Sequence, residues 1–253
     1  MVGRAALHGV ERGSGDVPVV LLHGFGGSHA VWDGVVEGLG GARRTLALDL
    51  PGHAGSLGHE PAGAGRAAGA VLADLDRRGL SRVHLVGHSF GGAVATLAAL
   101  RDPARIGSLT LLAPGGFGSE INHRLLRRLA TARSEAELEL ILEQCFGWGR
   151  DVTPGLAAQM AGERKAKGAR AALLAIFGTF MEGGAQKTIP RDELKRLTMP
   201  VKVVWGTQDR VLPTRQAHRL PGHIAVHVFE EVGHMLPYEI PDAVVHLILE
   251  NTR

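Results

Sequence analysis

Four short, largely apolar runs recur through the first half of the chain: Val17–His23 (VPVVLLH), Arg44–Leu50 (RTLALDL), Val83–His88 and Ser108–Leu112. Strands this short and this apolar leave no side for water, so both faces must be covered. Helical spacing fills the intervals between them. It runs through His29–Leu39 (Val31, Val35, Val36, Leu39), Ala64–Arg78 (Ala67, Val71, Leu75, stopped by Gly79) and Gly91–Arg101, stopped before Pro103. Strands alternating with helices make crossover units, and crossovers join parallel strands. The expected class is α/β, with a mostly parallel central sheet and helices on both faces.

The alternation breaks after Pro114. From Gly115 to Arg196 the pattern is helical, with no convincing strand. Ser134 and Glu137 form a capping box before a stripe of Leu138, Ile141, Leu142 and Cys145. Thr153-Pro154 reads as an N-cap followed by proline at the first helical position. Leu173, Leu174, Phe177, Phe180 and Met181 make another apolar stripe. Strand rhythm resumes at Val201–Trp205, followed by a short helix near Thr214–Leu220, a strand at Ala225–Phe229 and a last helix at Asp242–Glu250. The expected organisation is a core of residues 1–114 and 197–253 interrupted by a helical cap of residues 115–196.

Charge and cysteine usage exclude several classes. Residues 115–196 carry 13 Lys/Arg against 10 Asp/Glu, and the rest of the chain balances at 15 of each. No block of five like charges occurs, so nucleic acid is not an expected partner. No apolar run approaches the ~18–20 residues of a membrane span. The start MVGRAALHGV lacks a secretory apolar stretch, and the single cysteine, Cys145, excludes an intramolecular disulfide. A cytoplasmic location is the expectation. Oligomeric state is not legible.

Chemistry enters at Gly87-His88-Ser89-Phe90-Gly91, a G-x-S-x-G sequence fed by a buried strand and followed by a helix. Such a strand-to-helix turn lifts the serine hydroxyl to a helix N-terminus, where backbone N–H groups favour developing negative charge. An unaided serine is a poor nucleophile, so a base and an orienting acid are required downstream. Asp209, just past the strand Val201–Trp205, and His234, after the last strand, supply them in the order Ser89, Asp209, His234. Asp49 and Asp242 are rival acids. The first precedes a Pro-Gly turn too early in the chain, and the second resembles a helix cap after Pro241. Among the histidines, His88 is held inside the elbow and His84 lies in a strand. His218, His223 and His227 read as surface or packing residues. No metal-ligand spacing such as H-E-x-x-H occurs, so neither a metal nor another cofactor is expected. Cys145 lies on an apolar stripe and reads as an inert buried thiol.

His23-Gly24-Phe25-Gly26-Gly27 follows the first apolar run. A tetrahedral oxyanion needs two N–H donors, assigned to the backbones of Phe25 and Phe90. The two phenyl rings should wall a substrate pocket completed by Gly24 and Met235.

These motifs resemble the α/β-hydrolase superfamily, a resemblance that also includes the turn Asp49-Leu50-Pro51-Gly52-His53 and covers nearly the whole chain. A closer likeness is to the hydrolase-like domain of acetoin-dehydrogenase E2 acetyltransferase components. It rests on Ala113-Pro114-Gly115-Gly116-Phe117-Gly118-Ser119-Glu120-Ile121-Asn122 and on Gly233-His234-Met235. Complete proteins of that kind carry a lipoyl-bearing lysine, usually after an aspartate. Lys165, Lys167, Lys187, Lys195 and Lys202 all lack that neighbour, and the stretch before Val17 is too short for a lipoyl domain. The Pro-Gly-Gly run also resembles carbon–carbon bond hydrolases of ring-cleavage pathways, which typically carry tryptophan where this chain has Met235.

The resemblance implies a serine hydrolase of small carboxylic esters or thioesters, working through an acyl-enzyme intermediate. The alternatives are a C–C bond hydrolase of meta-cleavage type and a non-catalytic ligand receptor or complex subunit on the same fold. A covered crevice is expected to favour short acyl groups, with an optimum at or below roughly eight carbons.

Overall fold

A computed structural model describes residues 6–253. The chain opens with β1 (Gly9–Arg12), β2 (Val19–Leu22), a 3₁₀ turn at His29–Trp32 and α1 (Asp33–Leu39). Next come β3 (Thr45–Leu48), α2 (Ala64–Arg77), β4 (Val83–His88), α3 (Phe90–Arg101) and β5 (Ile106–Leu112). A second stretch holds α4 (His123–Thr131), α5 (Glu135–Leu142), α6 (Leu156–Glu163) and α7 (Ala169–Phe180), then β6 (Met181–Glu182), β7 (Ala185–Gln186) and α8 (Arg191–Leu194). The last part contains β8 (Val201–Gly206), β9 (Ile224–Phe229), α9 (Leu236–Glu239) and α10 (Pro241–Asn251).

Seven strands form one sheet in the order β1-β3-β2-β4-β5-β8-β9. Only β1 pairs antiparallel, against β3; every other neighbour is parallel. The four residues of β2 and of β3 are all buried, as their uninterrupted apolar sequences require. Helix α2 packs on α3, and α1 packs on α10, giving two helix pairs that flank the sheet. The strand order reverses direction at β2/β4, where crossovers leave to opposite sides. Open parallel sheets keep their crevice at the carboxyl ends of the strands around such a point.

Helices α4 to α7 lie between β5 and β8 in sequence, and α4 packs on α7 and α5 on α6. Ser134 caps α5 as its sequence foretold: its Oγ accepts from Glu137 N at 3.2 Å, although the Glu137 carboxylate turns back to Arg133 N, one residue before the cap.

Several local expectations need correction. Thr153-Pro154 lies in the turn ahead of α6, which starts instead from Gly155 at φ +79°, a left-handed geometry that suits glycine. A two-residue hairpin, β6–β7, occupies part of the stretch expected to hold helices only; Gly183 and Gly184 turn it at positive φ. Leu174 is exposed, because the buried stripe of α7 is Ala169, Ala172, Leu173 and Ile176. Asp242 sits in the first turn of α10 after Pro241, with Ile240 at the cap position. Thr214–Ala217 is a single 3₁₀ turn. No helix among the described residues is long and apolar enough to cross a membrane.

Candidate active site

Ser89 occupies the junction of β4 and α3 with φ +52° and ψ −116°, a conformation that L-residues adopt only under strain. The flanking glycines follow from contact distances. A Cβ on Gly87 would stand 2.4 Å from Gly91 O, and one on Gly91 would stand 2.2 Å from Leu22 O. Backbone atoms cannot retreat as a flexible side chain could, so no side chain fits at either position. The G-x-S-x-G spacing is therefore a packing requirement of the turn against β2.

His234 lies in the segment between β9 and α9, and its Nδ1 stands 2.7 Å from Asp209 Oδ2. Both side chains are almost wholly removed from solvent. Asp209 is held by four donors. Val211 N and Leu212 N reach Oδ1 at 2.8 Å each, while Trp205 Nε1 reaches Oδ2 at 3.1 Å beside the imidazole. An acceptor so engaged has one orientation, and it fixes the proton of His234 on Nδ1, leaving Nε2 as the free basic nitrogen. His234 is anchored through its backbone as well, its N–H donating to Cys145 O at 2.7 Å.

Ser89 and His234 line one small cavity of about 60 Å³, together with Gly24, Phe25 and Met235. Ser89 and Phe25 also line a second, larger cavity of about 720 Å³ that includes Phe90. All four residues expected to contact substrate thus border one or both spaces. The N–H groups of Phe25 and Phe90 have no hydrogen-bond partner among the described residues. Gly24 permits the close approach of its loop, since a Cβ there would stand 3.2 Å from Ser89 Cβ and 3.0 Å from His88 Nδ1.

Three buried histidines hold this arrangement, a role that sequence patterning did not reveal. His53 Nε2 accepts from Gly26 N at 3.2 Å, and its Nδ1 donates to Pro51 O at 3.3 Å. His23 Nε2 accepts from Leu50 N at 2.9 Å and Nδ1 donates to Gly24 O at 2.8 Å. His23 and His53 therefore each use one nitrogen as acceptor and one as donor, which requires neutral imidazole. Burial, reinforced by neighbouring histidines, pushes His53 and His88 down to about 3, and burial lowers His23 despite the Asp49 charge.

The rival candidates have other work. Asp49 accepts from His29 N at 2.7 Å and Gly55 N at 2.9 Å, and takes the Nδ1 donors of His8 and His29 at 2.9 and 3.0 Å. Although burial alone would raise its carboxyl, the neighbouring His23 and His29, the latter through its backbone and ring hydrogen bonds, hold it below the usual range. One carboxylate oxygen of Asp49 and one nitrogen from each of the two rings lie within 4.8 Å of one another, a juxtaposition invisible in the sequence; the ring contacts are those of donors to a carboxylate. Cys145 stands in the turn beyond α5 rather than on the helix, buried, with Sγ donating to Ile141 O at 3.5 Å. Burial and the nearby Asp209 charge push its thiol up to about 12, which leaves it protonated and unreactive. His84 bonds Ser108 Oγ within the sheet, and neither it nor His218, His223 or His227 borders either cavity.

A seven-stranded, mostly parallel sheet bearing a strained serine at a strand-to-helix turn, with a buried Asp–His pair at the same carboxyl end, defines an α/β-hydrolase architecture. The sequence matches the alpha/beta hydrolase family over residues 19–247, and the chain belongs to that family. It is 34% identical over 231 residues to the dihydrolipoyllysine-residue acetyltransferase component of the acetoin cleaving system of Cupriavidus necator, covering 90% of this chain and 62% of that protein. The chain thus spans less than two thirds of that relative's length. Among solved structures, a membrane phospholipase A described as a bacterial virulence factor is 25% identical with a TM-score of 0.82, over 98% of this chain and 85% of the other. A meta-cleavage product hydrolase of Pseudomonas fluorescens shares the fold at 21% identity and a TM-score of 0.81, over 96% and 92% of the two chains.

Proposed function

We propose that this protein is a cytoplasmic serine hydrolase of small-molecule carboxylic esters or thioesters. The observation that carries the reading is the 2.7 Å Asp209–His234 contact at the edge of a cavity that Ser89 also lines. Ser89 Oγ attacks the substrate carbonyl carbon while His234 Nε2 takes the hydroxyl proton. The bond to the alcohol or thiol then breaks as His234 returns that proton to the leaving atom. Water enters, gives a proton to His234 and its oxygen to the acyl carbon, and Ser89 regains its proton as the acid departs. Asp209 keeps the imidazole in the tautomer this cycle needs and offsets its transient positive charge. The free N–H groups of Phe25 and Phe90 stabilise the oxyanion, in a site where burial strengthens each hydrogen bond. Residues 115–196 act as the cap that excludes water.

Labelling with a fluorophosphonate tests this reading. The expected result is one covalent adduct per chain, mapped by peptide mass to the segment containing Ser89 and absent in Ser89→Ala. Modification elsewhere, or none, overturns it.

A further inference from the structure

The two cavities that meet at Ser89 differ in kind, and only the small one touches His234. The leaving atom must receive its proton from His234 Nε2, so it has to stand on that side. A volume of about 60 Å³ holds about two water molecules or one small alcohol. Bulky thiols do not fit there. The acyl chain is left with the 720 Å³ channel.

Helix α3 supplies a ruler for that channel. Phe90, Ala93, Leu97, Leu100 and Arg101 all line it, a single stripe that begins beside Ser89 and runs to the helix end. The eleven rises of 1.5 Å between the first and last of its twelve residues make this about 16 Å. An extended alkyl chain advances about 1.3 Å per carbon for ~1.5 Å bonds, so about ten to twelve carbons span the stripe. This is longer than the eight-carbon limit expected from the sequence.

The channel wall carries cations: Arg101 at the end of α3 remote from Ser89, and Arg66, Lys187 and Arg196, with Glu193 as the one acidic residue. Arg66 pairs with Glu60 and Arg196 with Glu193. Arg101 donates instead to Gly65 O and Lys187 to Thr179 O, carbonyls that leave both charges unneutralised. Neither has a carboxylate partner among the described residues. A largely apolar channel whose wall carries two cations without a carboxylate partner, one of them at the end of α3, matches a chain that is apolar along its length and anionic at its tip.

Building on the hydrolase reading above, we infer that the substrates are esters of small alcohols whose acyl chain of about ten to twelve carbons ends in a carboxylate, bound by Arg101 and Lys187.

Two matched series test this: methyl esters of monocarboxylic acids and monomethyl esters of dicarboxylic acids, from four to sixteen carbons, followed by methanol release. At ten to twelve carbons the dicarboxylate series should have about tenfold higher kcat/KM. That ratio should fall toward one in Arg101→Gln/Lys187→Gln, with Tm unchanged, and shrink as salt rises. Equal kcat/KM for the two series at every length overturns the inference while ester hydrolysis stands. Hydrolysis of p-nitrophenyl acetate, whose leaving group needs no proton, without cleavage of any methyl ester overturns the inference while the hydrolase reading stands. Failure to cleave every ester, p-nitrophenyl acetate included, removes the hydrolase reading and this inference with it.

Discussion

His88 Nε2 lies 2.8 Å from the carbonyl oxygen of His234, joining residues 146 positions apart in the sequence. A carbonyl only accepts, so Nε2 carries the proton, and His88 Nδ1 has no partner. The residue before Ser89 therefore sets the position of His234. The two rings also stack obliquely at 4.9 Å. His88→Leu should keep the elbow, whose geometry belongs to Gly87 and Gly91, but loosen His234. A displacement of about 1 Å costs on the order of 10²-fold, so kcat should fall by 10- to 100-fold with KM little changed. A KM-dominated effect in steady-state kinetics would point to substrate contact instead.

Ser89→Ala should abolish turnover of p-nitrophenyl acetate, a loss on the order of 10⁶-fold for a triad acting as a unit. Circular dichroism should show an unchanged fold, and because alanine keeps the Cβ and with it the strained φ, Tm should change little. Retention of more than about a tenth of the wild-type rate rules out Ser89 as nucleophile.

Asp209→Asn should cut kcat by roughly 10³- to 10⁴-fold, because an amide nitrogen facing His234 favours the wrong tautomer. Asp49→Asn is the control: that carboxylate organises His8, His29 and Gly55 outside both cavities, so its loss should lower Tm and leave far more activity. The reverse ranking in a side-by-side assay would exchange the two assignments.

Gly91→Ala should destabilise by ~3 kcal/mol or more, since the new methyl would press on Leu22 O and His23 O at 2.2 and 2.5 Å. Gly34→Ala, where nothing lies within 4 Å of the added atom, should be tolerated. Urea midpoints of the two variants give the comparison directly.

Acid should unfold this protein through its buried histidines. His53 and His88 have folded values of about 3, far below the 6.5 of exposed imidazole. The unfolded chain takes up protons that the folded chain refuses, so stability is complete above pH 6.5 and is lost as pH falls toward 3. By pH 5 each ring removes on the order of 2 kcal/mol. Urea midpoints should be flat from pH 8 to 7 and drop between pH 6.5 and 5. His53→Gln, which keeps an acceptor for Gly26 N without an imidazole to protonate, should flatten part of that drop.

The chain's local chemistry determined its class. Runs such as Val19–Leu22 are apolar on both sides and tolerate only a covered parallel strand. Ser89 needed glycines two residues away on either side because Leu22 and Gly91 backbones collide otherwise. Both are constraints between near neighbours, or between a residue and its solvent, and a sequence records them. Distances between remote segments are another matter. The grip of His53 on Gly26 and the bond from His88 to His234 each depend on loops that strand order alone brings together. The channel beside α3 was hidden for the same reason: Ala93, Leu97 and Leu100 have the spacing of any buried stripe. Periodicity shows which side of a helix avoids water. Only the tertiary packing decides whether that side meets another side chain or an empty space that a substrate can fill.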